Sequence, residues 1–200
     1  VTFGVDQDDT RLLPNRMGTA LVASQQAEKT GRRWLMSDAE TSKDVEWKLD
    51  LIGRLDTAIN NGELWVAYQP KLDLATRRIC GAEALVRGTH PERGQLAPDE
   101  FVTLAEEQNC IGNLTAFVLS NAIQLAARIN AHGIRFGVAV NLSPRVTDGV
   151  SMDMLAKGLL DRYGLDPTLL TLEVTETAAM LSGDEFLSLL HRLRALGIRI

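Results

Sequence analysis

The sequence has few of the residues that carry the commonest site chemistries. Its 200 residues include two cysteines, Cys80 and Cys110. Their spacing suits neither a metal-binding pair nor a disulfide framework, so we expect reduced core thiols and a cytosolic compartment. The three histidines, His90, His132 and His191, are scattered along the chain. No Ser-His-Asp, Cys-His or glycine-rich phosphate-loop pattern occurs, which leaves catalysis by a histidine base without support.

Long apolar runs and an excess of positive charge are also missing. The sequence contains no run of about 18 apolar residues and no signal-peptide pattern, so no segment of it is predicted to cross a membrane. The formal net charge of −5 argues against a broad basic face for duplex nucleic acid. The chain opens on Val1 without an initiator methionine, and we expect it to be a piece of a longer protein. Whether a membrane anchor or a sensory domain lies upstream stays open.

What is present is a globular composition with two distinguishable parts. Hydrophobic residues make up 45% of the chain and charged residues 24%, enough apolar material for a sizeable core. Residues 1–38 combine a short strand with an alanine-rich helix that ends at Gly31. A second helix is predicted from Ser42 to Asn60, because apolar residues recur there at helical spacing. We interpret residues 39–62 as a helical linker and residues 63–200 as a separate domain.

From residue 63 onward, strands alternate with helices. The short connection over residues 73–78 predicts an antiparallel hairpin. The later alternation of strands and helices favours a parallel sheet covered by helices. Such a sheet either curves into a barrel or forms a doubly wound sheet. An eight-fold barrel takes about 250 residues, and about five strands are predicted here. We therefore expect the native chain to continue past Ile200, the alternative being a complete small α/β domain. The predicted strands span 64–68, 79–85, 136–140, 170–174 and 198–200, and the predicted helices begin at 98 and span 114–130, 152–163 and 184–196.

Three polar residues stand at or beside the carboxyl ends of predicted strands. Glu83, Asn141 and Glu173 each follow a strongly apolar run. In barrels and open α/β sheets, that end of the strands carries the chemistry. Two carboxylates and an amide are hard oxygen donors that suit Mg²⁺, Mn²⁺ or Ca²⁺. A lone acid at a strand end is more often a helix cap or a surface residue, and for these three both interpretations stay open at this point.

Two further charged residues flank this predicted rim. Arg87 follows Glu83 by four positions and is expected in the loop above it, where a guanidinium can bind phosphate through two hydrogen bonds. From spacing alone, an ion pair with Glu92 or Asp99 is the commoner role for such an arginine. Glu176, just beyond the 170–174 strand, either holds the following loop or lies in the first turn of the next helix.

These candidate residues lie in or beside five short segments that follow one another along the chain. They are Tyr68-Gln69-Pro70, Gly81-Ala82-Glu83-Ala84-Leu85-Val86-Arg87, His90-Pro91 with Gly94, Val140-Asn141-Leu142-Ser143, and Leu172-Glu173-Val174-Thr175-Glu176. At these segments the sequence resembles the EAL family of cyclic-di-GMP phosphodiesterases. Five ordered motifs at suitable spacing are specific, whereas Glu-Ala-Leu alone occurs by chance in many helices.

The resemblance implies a fold and a reaction. The fold is an α/β, TIM-like (β/α)₈ barrel of EAL type with an antiparallel first strand, of which residues 63–200 form the first half. The reaction is hydrolysis of cyclic-di-GMP to linear pGpG in bacterial second-messenger signalling, with Mg²⁺ or Mn²⁺ as cofactor. The alternative is an inactive EAL domain that acts as a cyclic-di-GMP receptor or signalling scaffold. A homodimer through the EAL domain or the linker helix stays open.

The resemblance also implies a role for each motif residue. The implied metal ligands are Glu83, Asn141 and Glu173. The residues implied to line the dinucleotide site are Gln69, Leu85 and Arg87. The implied catalytic residues are Glu83 and Glu176, the latter by steadying the loop beside the metals.

Several positions depart from the family pattern. Gly88 stands where a tryptophan usually follows the arginine, Phe117 where tryptophan is common, and Thr115 where an acid is common. The family's paired aspartates, its catalytic lysine and a later glutamate would lie beyond Ile200. The 200-residue chain as printed is therefore not expected to catalyse by itself.

Residues 1–38 are similar to the C-terminal tail of a GGDEF domain, a domain that commonly precedes EAL. The resemblance is carried by Thr2-Phe3-Gly4-Val5, Ala20, Ala23, Ala27 and Gly31-Arg32. Leu21, Ser24, Gln25 and Glu28 depart from the pattern and indicate a degenerate domain.

Overall fold

The computed structural model of the chain describes residues 3–5, 20, 23–24, 27, 31–36, 53, 55–91, 94–147, 151–175 and 183–200. The chain divides into two compact units, Val1–Leu55 and Asp56–Ile200. This division falls inside the segment predicted as a linker helix. Of the helix predicted over residues 42–60, Gly53 and the helix α1 (Leu55–Asn60) are described and are helical, and the rest of it lies outside the described residues.

In the first unit, two short strands lie side by side. β1 (Phe3–Val5) pairs in parallel with β2 (Trp34–Met36). The described residues between residues 20 and 27 are helical, and Ala23 and Ala27 among them are fully buried. Gly31 has a φ of 68°, the left-handed conformation that commonly ends a helix. The predicted strand and helix end are therefore confirmed, while the resemblance to a GGDEF tail stays a prediction.

The second unit contains a five-stranded sheet that begins with an antiparallel hairpin. β3 (Leu64–Asp73) and β4 (Arg78–His90) pair along nearly their whole length, as the sequence predicted. β5 (Gly94–Leu96) then turns back and pairs with the last three residues of β4. No strand was predicted from the sequence at these three residues.

The rest of the sheet is parallel. β6 (Gly137–Asn141) pairs with β4, and β7 (Leu170–Glu173) pairs with β6, which gives the order β3-β4-β6-β7. Arg199 forms an isolated parallel bridge to Thr171, so a further strand position follows β7. The mixed sheet with an antiparallel first strand is the arrangement that the resemblance implied.

Four helices of the second unit are α2 (Pro98–Glu107), α3 (Ile111–Asn130), α4 (Met152–Tyr163) and α5 (Asp184–Ala195). Short 3₁₀ turns precede α4 and β7. The last three helices and the sheet share one buried core, whose fully buried large side chains include Leu119, Ile123, Met152, Leu170, Leu172, Phe186 and Leu193. None of the helices among the described residues has the length and apolar composition needed to span a bilayer.

The sheet is curved toward the face opposite this core. The ammonium of Lys71 on β3 lies 2.5 Å from Oε1 of Glu173 on β7. These strands are separated by β4 and β6, a distance of about 14 Å on a flat sheet. Side chains stand roughly perpendicular to a sheet, so the two could not meet if it were flat. The curvature has the sign that a barrel requires, while closure into eight strands stays a prediction.

Candidate functional site

One face of the sheet gathers the residues that the sequence analysis singled out. Side chains alternate between the two faces of a strand, and Tyr68, Ala84 and Val140 are among those that pack into the helix-covered core. The intervening residues therefore point to the other face, which we call the open face. Six of the seven predicted site residues lie on it: Gln69, Glu83, Leu85, Arg87, Asn141 and Glu173. The seventh, Glu176, lies outside the described residues.

Glu83 lies in the middle of β4, whereas the sequence analysis expected it to close a strand. It is opposite Gln69 of β3 and Ala139 of β6. β4 continues to His90 because the antiparallel neighbours β3 and β5 extend its pairing. The parallel pairing with β6 ends one residue after Glu83, so its carboxylate still lies near the end of the parallel part of the sheet.

Asn141 and Glu173 are the last residues of β6 and β7 and are direct partners in the parallel register. The amide of Leu142 donates to the carbonyl oxygen of Glu173 at 2.8 Å, which holds the two strand ends together. The side chain of Asn141 also reaches the neighbouring strand, since its Nδ2 donates to Oε1 of Glu83 at 2.8 Å. The strands thus bring all three predicted metal ligands to one place.

Sequence reasoning missed Lys71, whose ammonium donates to Oε1 of Glu173. A signal for it was available, because Lys71 follows Gln69 by two positions and a strand places such residues on the same face. Its distance from Glu173 along the chain, 102 residues, hid the pairing itself.

The three predicted ligands each keep one oxygen without a hydrogen-bond partner among the described residues. These atoms are Oε2 of Glu83, Oδ1 of Asn141 and Oε2 of Glu173. Two carboxylates and an amide fit a hard divalent cation and leave further coordination positions for water or other oxygens. The part of the chain that the structure describes contains no group of three or more His, Cys, Asp or Glu residues able to hold a metal. The described residues therefore supply a partial ligand set.

Arg87 belongs to β4 and not to the loop above the rim, where the sequence analysis expected it. It is the register partner of Trp65 on β3, and its Nη1 donates to the carbonyl oxygen of Val86 at 2.8 Å. No ion pair joins it to Asp99 in the described residues, and Glu92 lies outside them. The guanidinium therefore keeps most of its donors available for an anionic ligand.

A pocket of about 450 Å³ lies beside the open face, between the ends of the strands and helices α2 and α3. That volume falls in the range of sites for small molecules, about 300–1,000 Å³. Arg87, Asn141 and Glu173 contribute polar side chains to its wall, and Leu85 also lines it. Its apolar wall includes Val102, Ile111, Leu114, Val118 and Leu142. The pocket therefore adjoins two of the three predicted metal ligands and two of the three predicted substrate residues.

A second contact that was not predicted from the sequence joins two residues of the pocket wall. The hydroxyl of Ser143, just after β6, donates to Oε1 of Glu106 on α2 at 2.7 Å. Both residues line the pocket. The contact fixes the segment that follows Asn141 against the helix.

The residues that depart from the family pattern are packed against neighbouring side chains. A Cβ on Gly88 would lie 2.8 Å from Cδ2 of Leu64 and 3.3 Å from Cδ1 of Leu96, so neighbouring side chains fill the space beside it. Thr115 is buried and lines the pocket, and Phe117 packs against the core. Restoring a tryptophan at Gly88 would require repacking of the surrounding side chains.

Comparison with known proteins agrees with this architecture. The family profile described as "EAL domain" matches residues 52–200. The chain is 36% identical over 194 residues to an uncharacterised signalling protein of Caulobacter vibrioides, covering 96% of the chain and 24% of that protein. It is 33% identical over 200 residues to a cyclic di-GMP phosphodiesterase of Pseudomonas aeruginosa, covering the whole chain and 33% of that protein. The chain thus spans about a quarter to a third of the length of these relatives.

Among solved structures, the chain is similar to the phosphodiesterase PaMucR in complex with cyclic-di-GMP. The TM-score is 0.66 at 33% identity, over 75% of this chain and 61% of that one. A Xanthomonas citri FimX EAL domain, also with a TM-score of 0.66, is 19% identical and supports the fold alone. Since the profile match covers more than half of the chain and the fold agrees, the chain belongs to the EAL domain family.

Proposed function

We propose that the full-length protein hydrolyses cyclic-di-GMP to linear pGpG in a reaction that depends on Mg²⁺ or Mn²⁺. The observation that carries this proposal is the convergence of Glu83, Asn141 and Glu173 on the open face of an EAL domain. A named cyclic di-GMP phosphodiesterase among the relatives and a cyclic-di-GMP complex among the similar structures support the choice of substrate.

Three protein oxygens would hold the cation: Oε2 of Glu83, Oδ1 of Asn141 and Oε2 of Glu173. When bound, a divalent cation activates water and neutralises charge on the phosphodiester. Asn141 has a second task in this proposal, because its Nδ2 holds the other oxygen of Glu83. Further ligands are proposed to come from the paired aspartates of the family pattern.

The substrate would be bound by Gln69, Leu85 and Arg87 on the open face. Arg87 supplies a cation with several donors for a phosphate oxygen, and Leu85 contributes apolar surface at the mouth of the pocket. The apolar wall formed by α2 and α3 excludes water on that side of the ligand. Glu176 is proposed to steady the loop that follows Glu173.

The proposal is tested by incubating the full-length protein with cyclic-di-GMP and following pGpG by chromatography. We expect product with Mg²⁺ or Mn²⁺ and none after chelation with EDTA. Binding of cyclic-di-GMP, measured in parallel by calorimetry, separates the possible outcomes. Binding without any product would contradict hydrolysis and identify a cyclic-di-GMP receptor. If the protein neither binds cyclic-di-GMP nor forms product, the remaining interpretation is an interaction scaffold.

A further inference from the structure

We propose that Lys71 is an internal competitor for the divalent cation at Glu173 and thereby limits the affinity of the site for metal. This inference rests on the proposed metal site and adds a residue that none of the motifs of the family resemblance assigns. Lys71 acts through Glu173 and is therefore a positioning residue rather than a catalytic one.

The fold places Lys71 for this role. Its register partner on β3–β4 is Gly81, and the partner of Gly81 on β6 is Gly137. Neither glycine has a side chain on the open face, so no side chain at these two positions of β4 and β6 obstructs the stem of Lys71. The register also shifts between Lys71 and Leu72, and bulges of this kind often re-aim side chains beside functional sites.

The close approach of the two glycines makes this arrangement hard to alter. A Cβ on Gly81 would lie 2.4 Å from the carbonyl oxygen of Gly137, a contact with backbone that cannot move aside. The absence of a side chain at Gly81 is therefore built into the packing of β4 on β6.

The two carboxylates of the site are held by donors of different charge. A neutral amide, Nδ2 of Asn141, occupies one oxygen of Glu83. A full positive charge, Nζ of Lys71, occupies one oxygen of Glu173. A cation on the remaining oxygen of Glu173 would stand within a few ångströms of that ammonium, and like charges at such a distance repel. Loss of the Lys71 charge should therefore strengthen metal binding, whereas loss of the Asn141 amide should weaken it.

Solvent weakens the repulsion between the Lys71 ammonium and a cation at Glu173 without removing it. The side chains of Lys71 and Glu173 are 43% and 36% exposed, so the repulsion is partly screened. For the same reason the ion pair contributes little to folding. We therefore expect variants of Lys71 to fold and to differ in metal affinity.

The test is calorimetric titration of EDTA-treated full-length protein with Mn²⁺ alone, without nucleotide. Lys71→Met removes the charge and keeps most of the stem, and we expect its dissociation constant for Mn²⁺ to fall about tenfold, equivalent to about 1.4 kcal/mol. Lys71→Arg keeps the charge and should bind as the wild type does. Lys71→Gln serves as a second neutral variant in case the methionine variant folds poorly.

Lys157→Met is the matched control. Lys157 also forms a 2.5 Å ion pair with a carboxylate, Asp161, but the pair is exposed on α4 away from the open face. Its loss removes the same charge from the protein and should leave Mn²⁺ affinity unchanged. A similar gain in Lys157→Met would show a nonspecific charge effect and overturn the inference.

The outcomes also separate this inference from the proposed function. If the wild type binds Mn²⁺ and neutral variants of Lys71 bind it equally or more weakly, competition is wrong while the metal site stands. If neither the wild type nor any variant binds Mn²⁺, the metal site itself fails and this inference fails with it.

Discussion

At the scale of single residues, the candidate site depends on which polar atoms are hydrogen-bonded by neighbouring residues and which remain for a ligand. Glu83 and Glu173 each have one oxygen held by a neighbour on another strand and one oxygen left for a ligand. Second contacts of this kind fix the orientation of metal ligands, and their loss typically costs about 10–100-fold in metal affinity or activity. Asn141 combines both functions, because its Oδ1 is a proposed ligand and its Nδ2 orients Glu83.

Asn141→Leu should therefore weaken Mn²⁺ binding by at least about tenfold. Asn141 is exposed at the end of β6, so the fold should survive the change. Calorimetric titration measures the effect, with the exposed Asn113→Leu on α3 as the control for an added apolar residue. Unchanged affinity in Asn141→Leu would remove Asn141 from the metal site.

At the scale of elements, the contact between β4 and β6 positions the site. The two strands pack closely at Gly81 and Gly137, where a Cβ on Gly81 would lie 2.4 Å from the carbonyl oxygen of Gly137. A shift there would separate Glu83 from Asn141. The site geometry and the stability of the sheet are thus coupled through one pair of glycines.

Gly81→Ala should destabilise the protein by about 1–3 kcal/mol, the usual cost of overpacking. Gly158→Ala is the control, since Gly158 is exposed within α4 and a Cβ there meets nothing within 4 Å. This second change should stabilise by up to about 1 kcal/mol through helix propensity. Urea denaturation followed by circular dichroism gives both values, and equal stability of Gly81→Ala and wild type would contradict the account of this contact.

Helices α4 and α5 are joined by an ion pair that should make stability depend on pH. Nε of Arg192 donates to Oδ2 of Asp153 at 2.9 Å, and the hydroxyl of Ser151 donates to Oδ1 at 3.0 Å. Burial of Asp153 opposes its ionisation, but these hydrogen bonds outweigh burial, and the pKa of Asp153 lies below its ordinary value. A lowered pKa stabilises the fold above the unfolded-state pKa, and this contribution is lost as pH falls through the folded-state pKa.

Asp153→Asn should therefore lower the free energy of unfolding by about 1 kcal/mol or less at neutral pH. The difference from wild type should stay constant above about pH 5 and shrink below about pH 4, where the unfolded-state carboxyl begins to bind protons. Urea denaturation across this range measures it. A difference that grows as the pH falls would contradict the assigned direction.

The sequence predicted single elements with local signals better than it predicted how strands pair with one another. The helix over 152–163 was predicted with its observed ends, because Gly164 and the apolar spacing mark it locally. β4 was predicted to end at Leu85 and continues to His90, since its length is set by pairing with β3 and β5. Arg87 was consequently placed in a loop. Motif order identified Glu83, Asn141 and Glu173, but the part played by Lys71 depends on curvature across four strands, which no local pattern encodes.

At the scale of the whole molecule, ligand binding and folding are linked. Three oxygens from β4, β6 and β7 share one proposed cation, so its binding should stabilise the sheet relative to the unfolded chain. A ligand at 100 times its dissociation constant adds about 2.7 kcal/mol when it binds the folded state alone. Saturating Mn²⁺ should therefore raise the melting temperature of the wild-type protein, and the same Mn²⁺ concentration should raise that of Glu83→Gln by less.

The most direct measurement of the central claim is the turnover of cyclic-di-GMP by full-length Glu83→Gln. Its control is Glu185→Gln, which removes an exposed acid at the start of α5. With Mn²⁺ present, we predict that Glu83→Gln forms pGpG at least about 100-fold more slowly than the wild type, because losing a direct metal ligand should cost at least as much as losing a contact that orients one, which costs about 10–100-fold. Glu185→Gln should match the wild type. Wild-type turnover by a correctly folded Glu83→Gln variant would contradict the assignment of this carboxylate to the active site.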